Sequence, residues 1–287
     1  MQSHFPSPGS SADLAVSGGP DSLGLLLLGL AAELNVTVHH VDHHARLASS
    51  TDARHVQALC DELGVEFVLH DVTVAPGGNF EARARAARRA ALPMGALTGH
   101  TCDDLAETVL LNMLRGAGLD GLSPMVNHPT KPLRDLRRVD LHGFVAASGH
   151  EAMHDETNDS PSFRRNRVRH ELIALMNDIA ERDVVPLLAR QAALMFDERV
   201  LLDETFADDV ALTLDDADCR TLRSWPAARL RRWLRSQLLG DDQGDGSHPP
   251  SADEVERAIA VVRGDVVATQ LSHHRRLSRR DQHLTLE

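Results

Sequence analysis

Residues 12–34 read ADLAVSGGPDSLGLLLLGLAAEL, and the fold class follows from this stretch. The apolar run from Ala12 to Ser17 predicts a short strand, which the turn Gly18 to Pro20 ends. The segment from Ser22 to Leu34 is apolar on most of its faces, which predicts a buried helix. A strand, a tight turn and a helix in direct succession begin an alternation of strands and helices.

This alternation continues to about residue 125. Further strands are predicted at Val36–Val41, Val65–Val74 and Gly95–Thr98, and the helices between and after them at Thr51–Leu63, Asn79–Ala91 and Asp103–Leu114. Strands that alternate with helices form parallel sheets. Residues 12–125 therefore predict an α/β fold with a doubly wound, mainly parallel sheet.

After Asn158 the pattern contains helices, predicted at Asn166–Ala180, Val185–Phe206, Arg220–Leu239 and Ala252–Arg263. Val266–Leu271 and His283–Leu286 then alternate like the strands of a β-hairpin around a basic turn, His273–Arg280. We therefore predict a disordered tail over residues 1–11, a catalytic domain over residues 12–177, and a second, mostly helical domain over residues 178–287 that ends in a β-hairpin.

The composition excludes several classes of protein. The chain has 287 residues, a net charge of −12 and 42% hydrophobic residues, which together argue against disorder throughout. The apolar run from Leu23 to Ala32 is far shorter than the roughly 18–20 residues of a membrane span. No Lys or Arg precedes Arg46, so the basic start of a secretory signal is missing. We expect a cytoplasmic protein with no membrane contact.

The strongest chemical signal is the loop Ser17-Gly18-Gly19-Pro20-Asp21-Ser22 between the first strand and the first helix. Two glycines allow the backbone to approach an anion, and the N–H groups at the start of the helix point toward it. Asp21 is negative where phosphates are also negative, so a divalent cation is expected between them. The loop lacks the Walker pattern, but it still predicts a nucleotide phosphate.

A second constellation spans Gly99 to Thr108 and continues to Arg115. At about 100° per residue, one face of the predicted helix carries Asp104, Glu107, Thr108 and Arg115. The acids suit a cationic substrate or a metal, and the arginine suits a phosphate or a carboxylate. The alternative is a solvated face with ordinary ion pairs.

Two further features are rich in charge. His39-His40-Val41-Asp42-His43-His44 ends the second strand and is either a metal cluster or a loop that lines the nucleotide pocket. Arginines cluster at four places. The first, third and fourth of these clusters predict contacts with RNA phosphates, with ATP as a further candidate for the third, and the alternative is pairing with acids inside the protein. These clusters are Arg83, Arg85, Arg88 and Arg89; Arg134, Arg137 and Arg138; Arg164, Arg165, Arg167 and Arg169; and Arg275, Arg276, Arg279 and Arg280.

Taken together, the motifs resemble the tRNA(Ile)-lysidine synthetase (synthase) family of PP-loop ATP pyrophosphatases. The motifs are Ser17–Ser22, His40–Arg46, Gly99–Thr108 with Arg115-Gly116, Lys131-Pro132-Leu133, and Asp155–Asn158 with Arg165–Arg169. The resemblance implies a PP-loop (adenine nucleotide α-hydrolase-like) fold and a ligase that uses ATP and Mg²⁺ to join free L-lysine to the wobble cytidine of tRNA(Ile). An adenylated tRNA intermediate is implied.

The resemblance also implies roles for single residues. ATP would be held by Ser17, Gly18, Gly19, Pro20, Asp21 and Ser22, and Mg²⁺ by Asp21. Lysine and the reacting base would be handled by His100, Asp104 and Glu107, and phosphate or the adenylated intermediate by Arg115 and Arg167. The region 178–287 would bind tRNA.

Other interpretations stay open at this point. One is a nucleotide-binding homologue without ligase activity. Another is a different PP-loop tRNA-modifying enzyme, although a sulfur-inserting one is disfavoured because none of the three cysteines forms a C-x-x-C pair. The oligomeric state is also open, a homodimer included.

Overall fold

The fold is taken from a computed structural model, which describes residues 4–42, 49–73, 80–153, 163–239 and 250–287. The chain forms two compact units, residues 1–198 and 199–287. Within the described ranges, no helix is long and apolar enough to cross a membrane.

The first unit is built on a four-stranded sheet in the order β3-β2-β1-β4. The strands are β1 Ser11–Ala15, β2 Asn35–Asp42, β3 Glu66–Asp71 and β4 Leu97–Thr98, and every pair is parallel. The predicted α/β fold class is therefore confirmed. Because β1 pairs with β2 on one side and with β4 on the other, the strand order reverses at β1, and ligands of open α/β sheets bind beside such a reversal.

Helices surround this sheet, and a core of aliphatic side chains such as Leu14, Leu25 and Val38 lies between the layers. The helices are α1 Pro20–Ala31, α2 Ser49–Leu63, α3 Phe80–Ala91, α4 Cys102–Met113, α5 Leu119–Leu122, α6 Arg138–Ala147, α7 Arg164–Arg167, α8 Ile173–Ala180 and α9 Val185–Thr205. A π-helical turn, Val168–Leu172, joins α7 to α8.

Helix α6 was not predicted from the sequence, and tertiary packing explains why it forms. Its sequence, RVDLHGFVAA, contains a glycine and β-branched residues that weaken helix propensity. Leu141 and Val145 are nonetheless buried in the core. Leu141 packs directly on Gly24 of α1, where a Cβ in place of the glycine hydrogen would come within 2.5 Å of the leucine side chain. A glycine on α1 thus makes room for a helix about 120 residues later in the chain.

Residues 4–10, expected to be a disordered tail, are instead held against the first unit. The main chain of His4 donates to the carbonyl of Pro132, and that of Gly9 donates to the carbonyl of Glu33. Phe5 packs on the core. The Ser, Pro and Gly content predicted a loose segment, but an aromatic anchor and main-chain hydrogen bonds offset the cost of ordering it.

The compact boundary at residue 198 lies within α9, beyond the boundary at residue 177 expected from the sequence. The reason is apolar packing. Val184, Val185 and Leu188 are buried with Cys102 and Ala106 of α4, so the start of α9 belongs to the core of the first unit.

The second unit contains α10 Ala207–Ala211, α11 Cys219–Leu222, α12 Ala227–Leu239 and α13 Ala252–Arg263, followed by an antiparallel sheet. The single helix predicted over Arg220–Leu239 is two helices, because Pro226 cannot continue the hydrogen bonding of α11. The basic segment His273–Arg280, predicted as a turn, is a strand over Arg276–Arg280, and a short 3₁₀ turn, Ser272–His274, precedes that strand. The sheet has three strands in the order β5 Ala268–Gln270, β6 Arg276–Arg280 and β7 His283–Leu286, with Leu277 of β6 fully buried.

Candidate active site

The loop Ser17–Ser22 follows β1 and leads directly into α1. Gly18 has φ +92°, a left-handed conformation that favours glycine. Ser22 braces the turn, since its Oγ accepts from the Ser17 amide at 3.1 Å and donates to the Gly19 carbonyl at 2.9 Å. The N-cap residue of α1 is Gly19, which has no side chain to accept hydrogen bonds from the N–H groups at the helix start. The N–H groups of its first turn therefore remain available to an anion.

Gly99, at the end of β4, lies against this loop. A Cβ on Gly99 would come within 2.6 Å of the Asp21 carbonyl oxygen, which is backbone and cannot rotate away. The contact brings the start of the second motif beside the first, at the reversal point of the sheet.

We expect Gly99→Ala to lower ATP affinity by about tenfold or more, because the added methyl must displace the loop backbone. Gly143→Ala in α6 is the matched control, since a Cβ there meets nothing within 4 Å. The measurement is ATP titration by calorimetry, with thermal unfolding to check the fold. Equal ATP affinity in the two variants would contradict this contact.

Helix α4 presents two of its three acids, Asp104 and Glu107, inward. Thr101 and Asp104 form a capping box, in which Asp104 Oδ2 accepts from the Thr101 amide at 2.8 Å. The Asp104 residue is 8% exposed and Glu107 is 0% exposed. The alternative of a solvated helix face is therefore wrong for these two residues.

Three arginines from other elements neutralise the acids. Arg138 of α6 donates to Asp104 and to Glu107, each at 2.9 Å. Arg165 of α7 donates to Glu107 at 2.6 Å and to Asp104 at 2.9 Å. Arg169 of the π-helical turn forms a fork with Glu107 at 2.7 and 3.3 Å. We call these five side chains the charge cluster.

Arg138 also joins the charge cluster to the loop. Its Nε donates to Asp21 Oδ2 at 3.3 Å, and His142 Nε2 lies 2.8 Å from Asp21 Oδ1. A continuous path of ionic contacts thus runs from the loop to the acids of α4. No site role was predicted for Arg138 or His142 from the sequence, where the only available signal was the position of Arg138 in an arginine cluster.

The arginines keep both acids ionised. Burial by itself would raise the pKa of Asp104, but Arg138, Arg165 and the hydrogen bond from the Thr101 amide outweigh it and lower that pKa to about 2. Burial likewise opposes ionisation of Glu107, yet its hydrogen bond with Arg169 and the charges of Arg138 and Arg165 lower its pKa.

A pH dependence of stability follows from these lowered pKa values. A carboxyl whose pKa is lower in the folded state stabilises the fold above its unfolded pKa of about 3.9, and this contribution is lost as the pH falls through the folded pKa. For Asp104 the loss falls between about pH 4 and about pH 2. We expect the urea midpoint of the wild type to fall more steeply over this window than that of Asp104→Asn. Parallel profiles would contradict the assignment.

The other predicted residues lie outside the charge cluster. His100 is half-buried, with Nδ1 2.8 Å from Thr98 Oγ1. Arg115 is exposed beyond the end of α4. The Arg167 side chain is 62% exposed and pairs with Glu171. The structure thus brings together Asp21, Asp104 and Glu107 but leaves Arg115 and Arg167 on the surface.

The histidine-rich strand β2 is used structurally where the structure describes it. His40 Nδ1 lies 2.8 Å from the Val16 carbonyl, and His39 lies between His70 at 2.9 Å and Asp13 at 3.0 Å. No three His, Cys, Asp or Glu side chains of the described residues are grouped to hold a metal. His43, His44, Arg46 and Asp155–Asn158 lie outside the described ranges.

A pocket of about 650 Å³ adjoins the charge cluster. Its lining includes Glu107, Arg138 and Arg169, together with Asp103, Arg137 and Asp183. Arg137 pairs with both Asp103 and Asp183. It donates two hydrogen bonds to the Asp103 carboxylate, each 3.1 Å long, and forms an ion pair with Asp183. The pocket therefore presents both signs of charge beside α4.

Comparison with known proteins agrees with this geometry. A family model described as a PP-loop domain matches residues 2–176. A protein from Thermobifida fusca named tRNA(Ile)-lysidine synthase is 39% identical over 275 residues, which cover 89% of this chain and 83% of that protein. The chain belongs to the tRNA(Ile)-lysidine synthase family.

Two more members of the tRNA(Ile)-lysidine synthase family extend the match. The protein from Nocardia farcinica is 34% identical over 273 residues, covering 91% of this chain and 85% of the relative. The protein from Corynebacterium glutamicum is 32% identical over 257 residues, which cover 88% of this chain and 81% of that relative. The resemblance inferred from the motifs is confirmed.

Proposed function

We propose that this protein is an ATP-dependent ligase that joins L-lysine to the wobble cytidine of tRNA(Ile). The observation that carries the proposal is the junction at the sheet reversal, where the glycine-rich loop and the acids of α4 are linked through Arg138. One reaction centre beside β1 and β4 can then serve both the activation of the cytidine by ATP and the attack by lysine.

The chemistry needs an activated oxygen. The C2 carbonyl of cytidine does not release its oxygen to an amine. In the first step that oxygen attacks the α-phosphate of ATP and pyrophosphate leaves. In the second step the ε-amine of lysine attacks C2, loses a proton, and AMP leaves with the oxygen. The net products are lysidine, AMP and pyrophosphate.

The loop side of the junction suits the ATP that the PP-loop family uses. Gly18 and Gly19 allow close approach of phosphates, and the uncapped start of α1 offers N–H donors. Mg²⁺ is held in proteins by one or two carboxylates together with substrate phosphates and water. The half-buried Asp21 fits that demand, and it would hold Mg²⁺, whose charge lowers repulsion between phosphates.

The pocket beside α4 suits the amino acid. Lysine carries two ammonium groups and one carboxylate, and the pocket offers carboxylates and guanidinium groups on its walls. We propose His100, as a neutral imidazole, as the group that accepts a proton from the ε-ammonium group of lysine and so frees the amine for attack. Arg115 and Arg167, both exposed, are proposed to contact tRNA phosphates.

The test is incubation with ATP, lysine and total tRNA, followed by mass analysis of the nucleosides for lysidine. Lysidine must depend on all three substrates, and omission of lysine must leave pyrophosphate release dependent on tRNA. ATP binding without lysidine would favour the homologue that lacks ligase activity. A different modified nucleoside would favour another PP-loop enzyme.

The second unit is proposed to bind tRNA through its basic strand β6. Arg275 and Arg279 donate to the carbonyls of Leu238 and Val261, so they hold the unit together. Arg276 and Arg280 are exposed. Each lost phosphate contact should lower the slope of log affinity against log salt by about 0.7–0.9.

We therefore expect the double variant Arg276→Ala/Arg280→Ala to lower the salt slope of tRNA binding by about 1.5 while ATP affinity stays unchanged. Filter binding at several salt concentrations measures the slope. The exposed acids Asp253→Ala and Asp265→Ala serve as controls in the same unit. An unchanged slope in the arginine variant would contradict tRNA contact at this strand.

A further inference from the structure

Glu107 has no free oxygen to offer a substrate. Its Oε1 accepts from Arg138 at 2.9 Å and from Arg169 at 2.7 Å. Its Oε2 accepts from Arg165 at 2.6 Å and from Arg169 at 3.3 Å. The side chain is 0% exposed. An ammonium group could reach this carboxylate only by displacing a guanidinium group from a buried ion pair, which is costly.

Asp104 is engaged in a similar way. Its Oδ1 accepts from Arg138 and from Arg165, each at 2.9 Å. Its Oδ2 accepts from the amide and the hydroxyl of Thr101 at 2.8 and 2.9 Å. The carboxylate oxygens of Asp104 and Glu107 therefore already accept hydrogen bonds from groups of the protein.

In contrast, two of the three arginines, Arg165 and Arg169, have N–H groups with no acceptor among the described residues. Among the described residues, neither Arg165 Nη1 nor Arg169 Nη1 donates a hydrogen bond. The side chains of these two arginines are 30% and 26% exposed. A guanidinium group fixed by a carboxylate on one edge presents its other edge to an oxyanion in a defined orientation.

We infer that Asp104 and Glu107 are positioning residues, which hold Arg165 and Arg169 as a binding site for a phosphate anion and do not bind the lysine ammonium group. Phosphate is the expected anion because Arg138 also contacts Asp21 of the loop at which ATP is proposed to bind. To that extent the inference rests on the proposed function. It assigns Arg165 and Arg169 the phosphate contact that the family resemblance implied for Arg167.

The first test uses inorganic pyrophosphate as the probe, in magnesium-free buffer without tRNA or lysine. We expect calorimetry to show binding by the wild type and a loss of affinity of about tenfold or more in Arg169→Gln, as for a charged hydrogen bond. Arg190→Gln removes one exposed positive charge from α9 and should bind within about twofold of the wild type.

Thermal unfolding checks that each variant is folded, and Arg165→Gln replaces Arg169→Gln if the latter is not. Equal affinity in the wild type and the folded arginine variant, or no binding by the wild type, would overturn the inference. Because this measurement needs no ligase activity, a wild type that binds pyrophosphate but makes no lysidine would contradict only the proposed function.

The second test separates positioning from lysine binding. In Glu107→Gln we expect pyrophosphate affinity to fall by about tenfold or more, while the KM for lysine stays within about twofold. Glu107→Asp, which keeps the charge, should recover part of the affinity. A rise in the KM for lysine as large as the loss of pyrophosphate affinity, or larger, would overturn the inference.

Discussion

Replacement of Asp21 by Ala is expected to lower tRNA-dependent pyrophosphate release by at least about 10²–10³-fold, the usual cost of removing one group that stabilises developing charge. The substitution removes the proposed Mg²⁺ ligand. It also removes the carboxylate that accepts hydrogen bonds from Arg138 and His142. Release of labelled pyrophosphate from ATP, with tRNA and lysine present, measures the effect.

His142→Ala is the matched control for this substitution. It removes one contact of the Asp21 side chain but leaves the carboxylate and the Arg138 contact in place. The His142 side chain is 40% exposed, so its loss should cost little stability. We expect this variant to keep most of its activity. If Asp21→Ala turned over ATP at the wild-type rate, the loop would have no part in the reaction.

Replacement of Glu107 by Ala is expected to have the largest effect on stability. Three arginines would lose a fully buried partner. Breaking a buried ion pair by removing one member costs about 3–5 kcal/mol in free energy of unfolding. Urea unfolding followed by far-ultraviolet circular dichroism measures this loss.

Glu171→Ala is the control, because it also removes a glutamate that is paired with an arginine. Here both side chains are more than half exposed, at 62% for Arg167 and 53% for Glu171. The expected loss is about 0–1 kcal/mol. Circular dichroism is used because both tryptophans, Trp225 and Trp233, lie in the second unit, whereas the two glutamates lie in the first. Tryptophan fluorescence would therefore follow the unfolding of the second unit only. A similar loss of stability in the two glutamate variants would contradict the buried role of Glu107.

Several features of the site could be predicted because they are local in the sequence. The loop Ser17–Ser22 carries its own turn chemistry, and the capping box of Thr101 and Asp104 starts α4 where its acids follow β4. The parallel sheet then brings both segments to one edge. That placement was predictable from the order of strands and helices alone.

Other features were not predictable because they depend on contacts that are distant in sequence. Arg138 is 31 residues from Glu107, and Arg169 is 62 residues from it. Arg167 was chosen from its motif position, but Arg165 and Arg169 are the arginines that face the acids. Helical spacing explains this in part. Arg165 and Arg169 are four residues apart and share a face of the helix, whereas Arg167, two residues from each, points away from that face.

The strand–turn–helix loop, the alternation that builds the parallel sheet, and the family could all be inferred from the order of the amino acids. These features are encoded by contiguous residues, whose turn chemistry and periodicity act locally. Three others emerged only from the folded chain: Glu107 is fully buried, Arg138 connects Asp21 to the acids of α4, and Arg276–Arg280 is a strand and not a turn. Burial sets the cost of an unpaired charge, and burial exists only after distant segments have packed together.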